Sequence, residues 1–221
     1  MATRTLDPDA TRAAILAAAE DHFVEHGFAA ASIADIARSA GVTKSLIHHH
    51  FKSKDDLWEA TKERVIAPYL EAQRHLLEND EDGEDLLERS IVTYFRYLQQ
   101  NPRVVRMIAW LDIKGDPKMD EMGRRVTELG VVKIADAQKQ GLIRADLEPA
   151  FVIISFIGLV QHWFRACEPI SFGMELASKS ALDERYLQTM LSLFLNGILT
   201  DDERVARRAR KTSRRRAARS S

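Results

Sequence analysis

The chain has 221 residues, 45% hydrophobic and 29% charged, a balance that fits a folded globular protein and excludes an intrinsically disordered one. Its single cysteine, Cys167, excludes an internal disulfide and is read as a small core residue in a reducing, intracellular, cytoplasmic setting. The net charge of −1 hides an asymmetry: residues 204–221 hold nine Lys or Arg and no acid, leaving −10 on the rest, and a basic end on an acidic body suggests a polyanion near one terminus.

No apolar run near the start suits a signal peptide. Helical spacing runs throughout, and no period-2 run is long enough for a strand. Asp7-Pro8 supplies a cap and a first-turn proline for a helix that buries Ile15, Ala18, Ala19 and Phe23 and stops at Gly27. Ser32-Ile-Ala-Asp35 opens a short second helix, ended by Gly41. Thr43 caps a third, with Ile47 and Phe51 one turn apart, and Ser53 caps a fourth that runs through Trp58 and Val65 to about Leu77, with a kink expected at Pro68.

After a turn at 81–85, helices are predicted at 84–100, 102–113, 117–140, 148–167 and 182–200, with Asn101-Pro102 and Asp116-Pro117 as start signals. The most apolar stretch, Ala150–Val160, has eleven residues where a bilayer span needs ~20, so it is predicted to be a buried helix. The last predicted helix carries Leu187, Met190, Leu191, Phe194, Leu195 and Ile198, a stripe wide enough to expect a partner helix. The fold class is all-α, with about nine helices: a head over 1–54, a helical-bundle body for ligand binding and dimerisation over 55–201, and a basic, unstructured tail over 202–221.

Two short helices joined by Ala40-Gly41-Val42-Thr43 form a helix-turn-helix: the glycine allows the sharp turn, and Val42, Ile47 and Phe51 pin the second helix so that its outer face is free for a major groove. Residues 1–54 carry six basic and six acidic side chains, yet 36–54 hold Arg38, Lys44, Lys52 and Lys54 and no acid. Positive charge is local to the turn and the helix after it, where phosphates would lie.

Residues 12–58, TRAAILAAAEDHFVEHGFAAASIADIARSAGVTKSLIHHHFKSKDDLW, resemble the DNA-binding head of the TetR family of transcriptional regulators. Four elements in order carry the likeness: AAA-x-x-x-F-x-x-x-G-F, S-I-x-x-I-A, A-G-V-T-K-x-x-I-x-x-H-F and F-K-S-K-x-x-L. The resemblance implies a homodimer with one small-molecule pocket per subunit, repressing genes at a palindromic operator on double-stranded DNA. By position it implies phosphate contacts from Thr43, His48 and Lys54, with Ser32 adding one, and base contacts from Lys44, Ser45, Leu46 and His49. His48 replaces the family's usual tyrosine, Leu46 offers apolar contact where a hydrogen bond is common, and Ala34 is short for reaching a base, so the operator sequence is not readable.

The run His48-His49-His50 is not a metal site, because successive helical residues fan out by about 100° and cannot converge on one ion. His48 and His49 are expected to face DNA, with His50 beside Phe51. His22-Phe-Val-Glu25-His26 matches the H-x-x-E-H pattern of a metalloprotease class, but no third ligand is recognisable. The reading is of no enzyme, no metal and no cofactor.

Within the body, Gln161 and His162 are the polar residues of a very apolar helix and are expected to face a small, largely apolar effector, with Phe95 and Trp110 as walls. The resemblance implies that ligand moves the fourth helix, and that helices 148–167 and 182–200 form a four-helix bundle with their symmetry mates, with Gly158 permitting close approach. The basic tail is read either as a solvated end or as a non-specific DNA arm. A competing functional class is a helical small-molecule-binding protein without specific DNA recognition.

Overall fold

A computed structural model describes residues 7–79, 85–115, 121–171 and 178–217, with side chains throughout except at 167–171, 208 and 211–217. The expected Asp116-Pro117 start, most of the 81–85 turn and the side chain of Cys167 lie outside the described residues. Ten helices are described, one more than expected: α1 (Pro8–Ala30), α2 (Ile33–Ser39), α3 (Lys44–His50), α4 (Lys54–Asn79), α5 (Leu86–Gln100), α6 (Pro102–Lys114), α7 (Glu121–Lys139), α8 (Pro149–Ser171), α9 (Lys179–Ile198) and α10 (Asp201–Ala217). They divide into two compact units, residues 1–69 with 101–120, and residues 70–100 with 121–221. The boundary expected at residue 54 therefore moves into α4, which runs through Pro68 as one helix.

In the first unit, Asp7 accepts a hydrogen bond from the Asp9 amide at 3.0 Å and Pro8 opens α1. Its buried face carries Ile15, Leu16, Ala18, Ala19 and Phe23. The core behind it is aromatic: Phe23 and Phe28 both meet the edge of Trp58, with ring centroids 5.0 and 5.6 Å away. Trp58 is fully buried there, which is why the first turns of α4 belong to this unit.

α1 breaks at Gly27, whose φ of 74° and ψ of 174° lie in a region essentially restricted to glycine. Trp110 of α6 fits the notch: its indole N–H donates to the Val24 carbonyl at 3.2 Å, and a Cβ on Gly27 would stand 2.7 Å from its ring. α6 is tied down at both ends. Arg103 pairs with Glu20 and Asp21, while the Lys114 ammonium reaches Asp55 at 3.3 Å and lies 4.1 Å over the Phe28 ring.

In the second unit, α5 turns Ile91, Tyr94, Phe95 and Leu98 inward and packs on α8 and α9. Asp183 of α9 is buried but satisfied, accepting from Trp163 Nε1 at 2.9 Å, Gln99 Nε2 at 3.1 Å and Lys179 Nζ at 2.8 Å. α8 differs from the fully buried helix expected. Val152, Phe156, Val160 and Trp163 are buried, whereas Phe151 and Ile154 are 69% and 66% exposed.

The expected unstructured tail is instead helical through Ala217. Thr200 Oγ1 accepts from the Glu203 amide at 3.3 Å, and three acids in the first turn interact favourably with the positive end of the helix dipole. The largely buried Arg207 then pairs with Asp85 and Glu88. Ion pairing, invisible as long as only the run of positive charge is considered, orders this segment.

Gly27→Ala is expected to lower stability by about 1–3 kcal/mol through backbone strain alone, plus a further loss from displacing Trp110. In urea denaturation of the single variants and of Gly27→Ala/Trp110→Ala, the collision part should vanish in the double variant. Strict additivity would show that the two residues do not compete for space.

Candidate nucleic-acid interface

The helix-turn-helix is assembled from short-range signals. Ser32 Oγ accepts from the Ala34 amide at 3.1 Å to start α2, and Thr43 Oγ1 accepts from the Leu46 amide at 3.2 Å to start α3. Between them Gly41 takes φ +67°, which lets the Val42 amide return to the Ala37 carbonyl at 2.9 Å and close α2. α2 packs on α3, and Ile36 and Ala37 are buried, as are Ile47, which is fully buried, and Phe51, which is 4% exposed.

With that back face sunk, Thr43, Lys44, Ser45, His48 and His49 are exposed, Leu46 is half-buried, and Ser32 and Lys54 are half-buried at the margins. His50 is half-buried, its ring 6.4 Å from that of Phe51. Lys54 is held rather than loose: its ammonium donates to the Ala29 carbonyl at 3.3 Å and lies 4.6 Å over the Phe28 ring. His22, one of the two histidines of the metalloprotease-like pattern, bridges α1 to α2 by a 2.8 Å hydrogen bond between its Nε2 and Ser39 Oγ.

Ion pairing reduces the negative charge of the first unit around this face. Asp35 is matched by Arg38 at 2.8 Å, Glu20 by Arg103 at 3.1 Å, Asp55 by Lys114 at 3.3 Å and Glu59 by Lys62 at 2.6 Å. Among the described residues, Lys44 and Lys52 at the two ends of α3 are exposed and enter no ion pair. Arg12 of α1, which the sequence reading leaves aside, lies with its guanidinium 5.2 Å over the Phe51 ring. No local pattern links residues 12 and 51; only the packing of α1 brings them together.

The four residues expected to line an effector pocket are divided between the two units. Trp110 belongs to the first unit, against Gly27. In the second unit Phe95 is fully buried against Phe164, with ring centroids 4.9 Å apart, and Gln161 donates to the Tyr94 hydroxyl at 2.8 Å. His162 is exposed, in helical register with the exposed Phe151, Ile154, Gly158 and Leu159. A cavity of about 450 Å³ in this unit is lined by Leu76 of α4, Asp85 and residues of α5 and α10, including Glu88, Val92 and Arg207, and by none of the four.

Residues 15–61 match the family described as "Bacterial regulatory proteins, tetR family", and residues 87–192 match "Tetracyclin repressor-like, C-terminal domain". The chain is 25% identical to the HTH-type transcriptional activator FasR of Mycolicibacterium smegmatis, over 75% of this chain and 77% of that protein. It is 27% identical to the HTH-type transcriptional repressor SCO4008 of Streptomyces coelicolor, over 71% and 79%. The solved structure of the transcriptional regulator SCO4942 from Streptomyces coelicolor aligns with a TM-score of 0.69 at 24% identity, covering 83% of this chain and 97% of that one. The ketosteroid transcriptional regulator KstR2 of Mycobacterium tuberculosis aligns with 0.63 at 19%, covering 86% and 95%. At these identities the two structures speak for the fold alone.

Thr43→Ala is expected to cost about 1 kcal/mol (roughly 0.5–2) by removing the side-chain cap of α3, while Thr43→Ser should cost much less. Chemical denaturation of the three proteins decides it. An alanine variant as stable as the parent would mean that the cap contributes nothing.

Proposed function

Because this chain belongs to the TetR family of bacterial transcriptional regulators, we propose that it works in the cytoplasm as a homodimeric repressor, gripping a palindromic operator with paired α3 helices and released by a small, largely apolar effector. One observation carries the DNA reading: α3 buries only Ile47 and the adjoining Phe51 while turning Lys44, Ser45, His48 and His49 outward. A helix so presented, with unpaired lysines at both ends, suits the major groove.

In this reading Lys44, Ser45 and His49 reach base edges and Leu46 lies against a thymine methyl. Thr43, His48, Lys54 and Ser32 hold phosphates; the bond from Lys54 to the Ala29 carbonyl pre-orients its ammonium for that purpose.

The symmetric pairing is supported by α8 and α9. Phe151, Ile154 and Leu159 on α8 and Leu193 on α9 are exposed. A Cβ placed on Gly158 or Gly197 would meet nothing within 4 Å, so both faces admit a close neighbour. A second copy supplies the partner helices that these apolar stripes lack. His162 falls on this α8 face and is assigned to the subunit contact rather than to the effector. The effector is assigned instead to the apolar region around Phe95, with the Gln161–Tyr94 hydrogen bond as its polar handle. Trp110 is left out of that site.

Selection of bound duplexes from a random library by the full-length protein should yield a palindrome. Lys44→Ala/His49→Ala should abolish the preference, since each good base contact is worth about 1–3 kcal/mol. A library that returns no enriched sequence would leave a helical small-molecule-binding protein.

Phe151→Asp/Leu193→Asp is expected to give monomers in sedimentation analysis and to lose operator binding. A doubly substituted protein that still sediments as a dimer would rule out this interface.

A further inference from the structure

We propose that Arg12 is a DNA-contacting residue: its guanidinium, seated on Phe51, binds a backbone phosphate beyond the C-terminal end of α3. The proposal rests on the DNA reading above and adds a contact from a helix outside the helix-turn-helix.

Its place comes first. Phe51 caps the C-terminus of α3, its amide donating to the Ile47 carbonyl at 2.7 Å, and its ring is almost wholly buried. The Arg12 guanidinium covers that ring at 5.2 Å while its side chain stays exposed. α1 is fixed at this point by the buried Thr11 and Ile15 and by Arg64, which donates to the Ala13 carbonyl at 3.1 Å. Arg12 is therefore held in a set position relative to the end of α3.

Its unspent hydrogen bonds come second. Arg38, Arg64 and Arg103 of the same unit each engage a carboxylate, whereas Arg12, among the described residues, forms no ion pair. A cation–π contact orients a guanidinium without using its five N–H donors, and that planar fork matches two phosphate oxygens. Asp9, one turn earlier on α1, does not pair with it among the described residues. Lys52, which directly follows Phe51 in the chain, is exposed and outside any ion pair among the described residues.

The chemistry of docking comes third. Bases are reached from the N-terminal part of a recognition helix. Cations at its far end meet the flanking backbone, where they set register and orientation without reading sequence. Arg12 should therefore raise affinity for all duplexes alike.

The test measures binding of the full-length protein, Arg12→Gln and Arg12→Lys to the selected operator and to an unrelated duplex across a salt series. Arg12→Gln is expected to weaken both to a similar degree and to flatten the slope of log affinity against log salt. Each lost phosphate contact is worth about 0.9 in slope, hence about 2 for two protomers. Arg12→Lys, which keeps the charge, should retain most of the slope. Thermal melting of each variant controls for folding, and Lys52→Gln, away from the Phe51 ring, should flatten the slope as well. An unaltered slope in Arg12→Gln would overturn the proposal, as would a selective loss of operator preference, which would mean that Arg12 only buttresses Phe51. A parent protein that binds the operator with a steep slope shared by Arg12→Gln removes this inference alone. A parent that binds no duplex removes the DNA reading with it.

Discussion

A helix of seven residues has almost no stability of its own, since nucleation costs more than so few hydrogen bonds return. α3 is such a helix, and it persists because Ile47 and Phe51 are buried in the first unit and Thr43 caps its start. That constraint governs the head. The residues that anchor α3 cannot also face outward, so the outward positions are free of any packing duty and can be chosen for chemistry. Behind the anchor stands a rigid floor: Phe23, Phe28 and Trp58 in edge contact, braced by the Lys114 ammonium over the Phe28 ring.

The distribution of charge follows from the same economy of space. Carboxylates of the first unit are concentrated on α1, α2 and α4, and Glu20, Asp21, Asp35, Asp55 and Glu59 each have a cation from the next turn or from α6 beside them. Exposed pairs of this kind add little stability, but they remove negative charge from the field around α3. A formal sum over the head misses this, because it weighs a neutralised aspartate and a free lysine equally. Long-range attraction to a polyanion is set by where charge remains uncompensated.

Local signals made much of this legible. The Asp7, Ser32 and Thr43 caps, the Gly41 turn and the anchoring pair Ile47 and Phe51 are each encoded within a few residues of where they act. At α6 the Asn101-Pro102 signal marks the start correctly, with Pro102 opening the helix, although Asn101 makes no side-chain cap bond. What could not be read depends on residues far apart in the chain. Trp110 reads as a wall of the body because it sits in a helix of the right polarity, yet its partner is a notch at Gly27. The basic tail reads as unstructured on composition, yet Arg207 finds Asp85 and Glu88 more than a hundred residues away. For α8, composition announces burial but not by what, and half of its apolar face is left exposed.

α6 belongs to the first unit, together with the helix-turn-helix. It follows a single non-helical residue, Asn101, with φ −128° and ψ 70°, and opens on a proline whose φ is locked. Within that unit Arg103, Trp110 and Lys114 grip α1 and α4 on both sides of the helix-turn-helix. The hydrogen bond from Trp110 to Val24 and the packing of its ring on Gly27 thus stand at the only place where α6 touches a break in α1 among the described residues, and there a small displacement meets backbone that an ordinary side chain could not occupy.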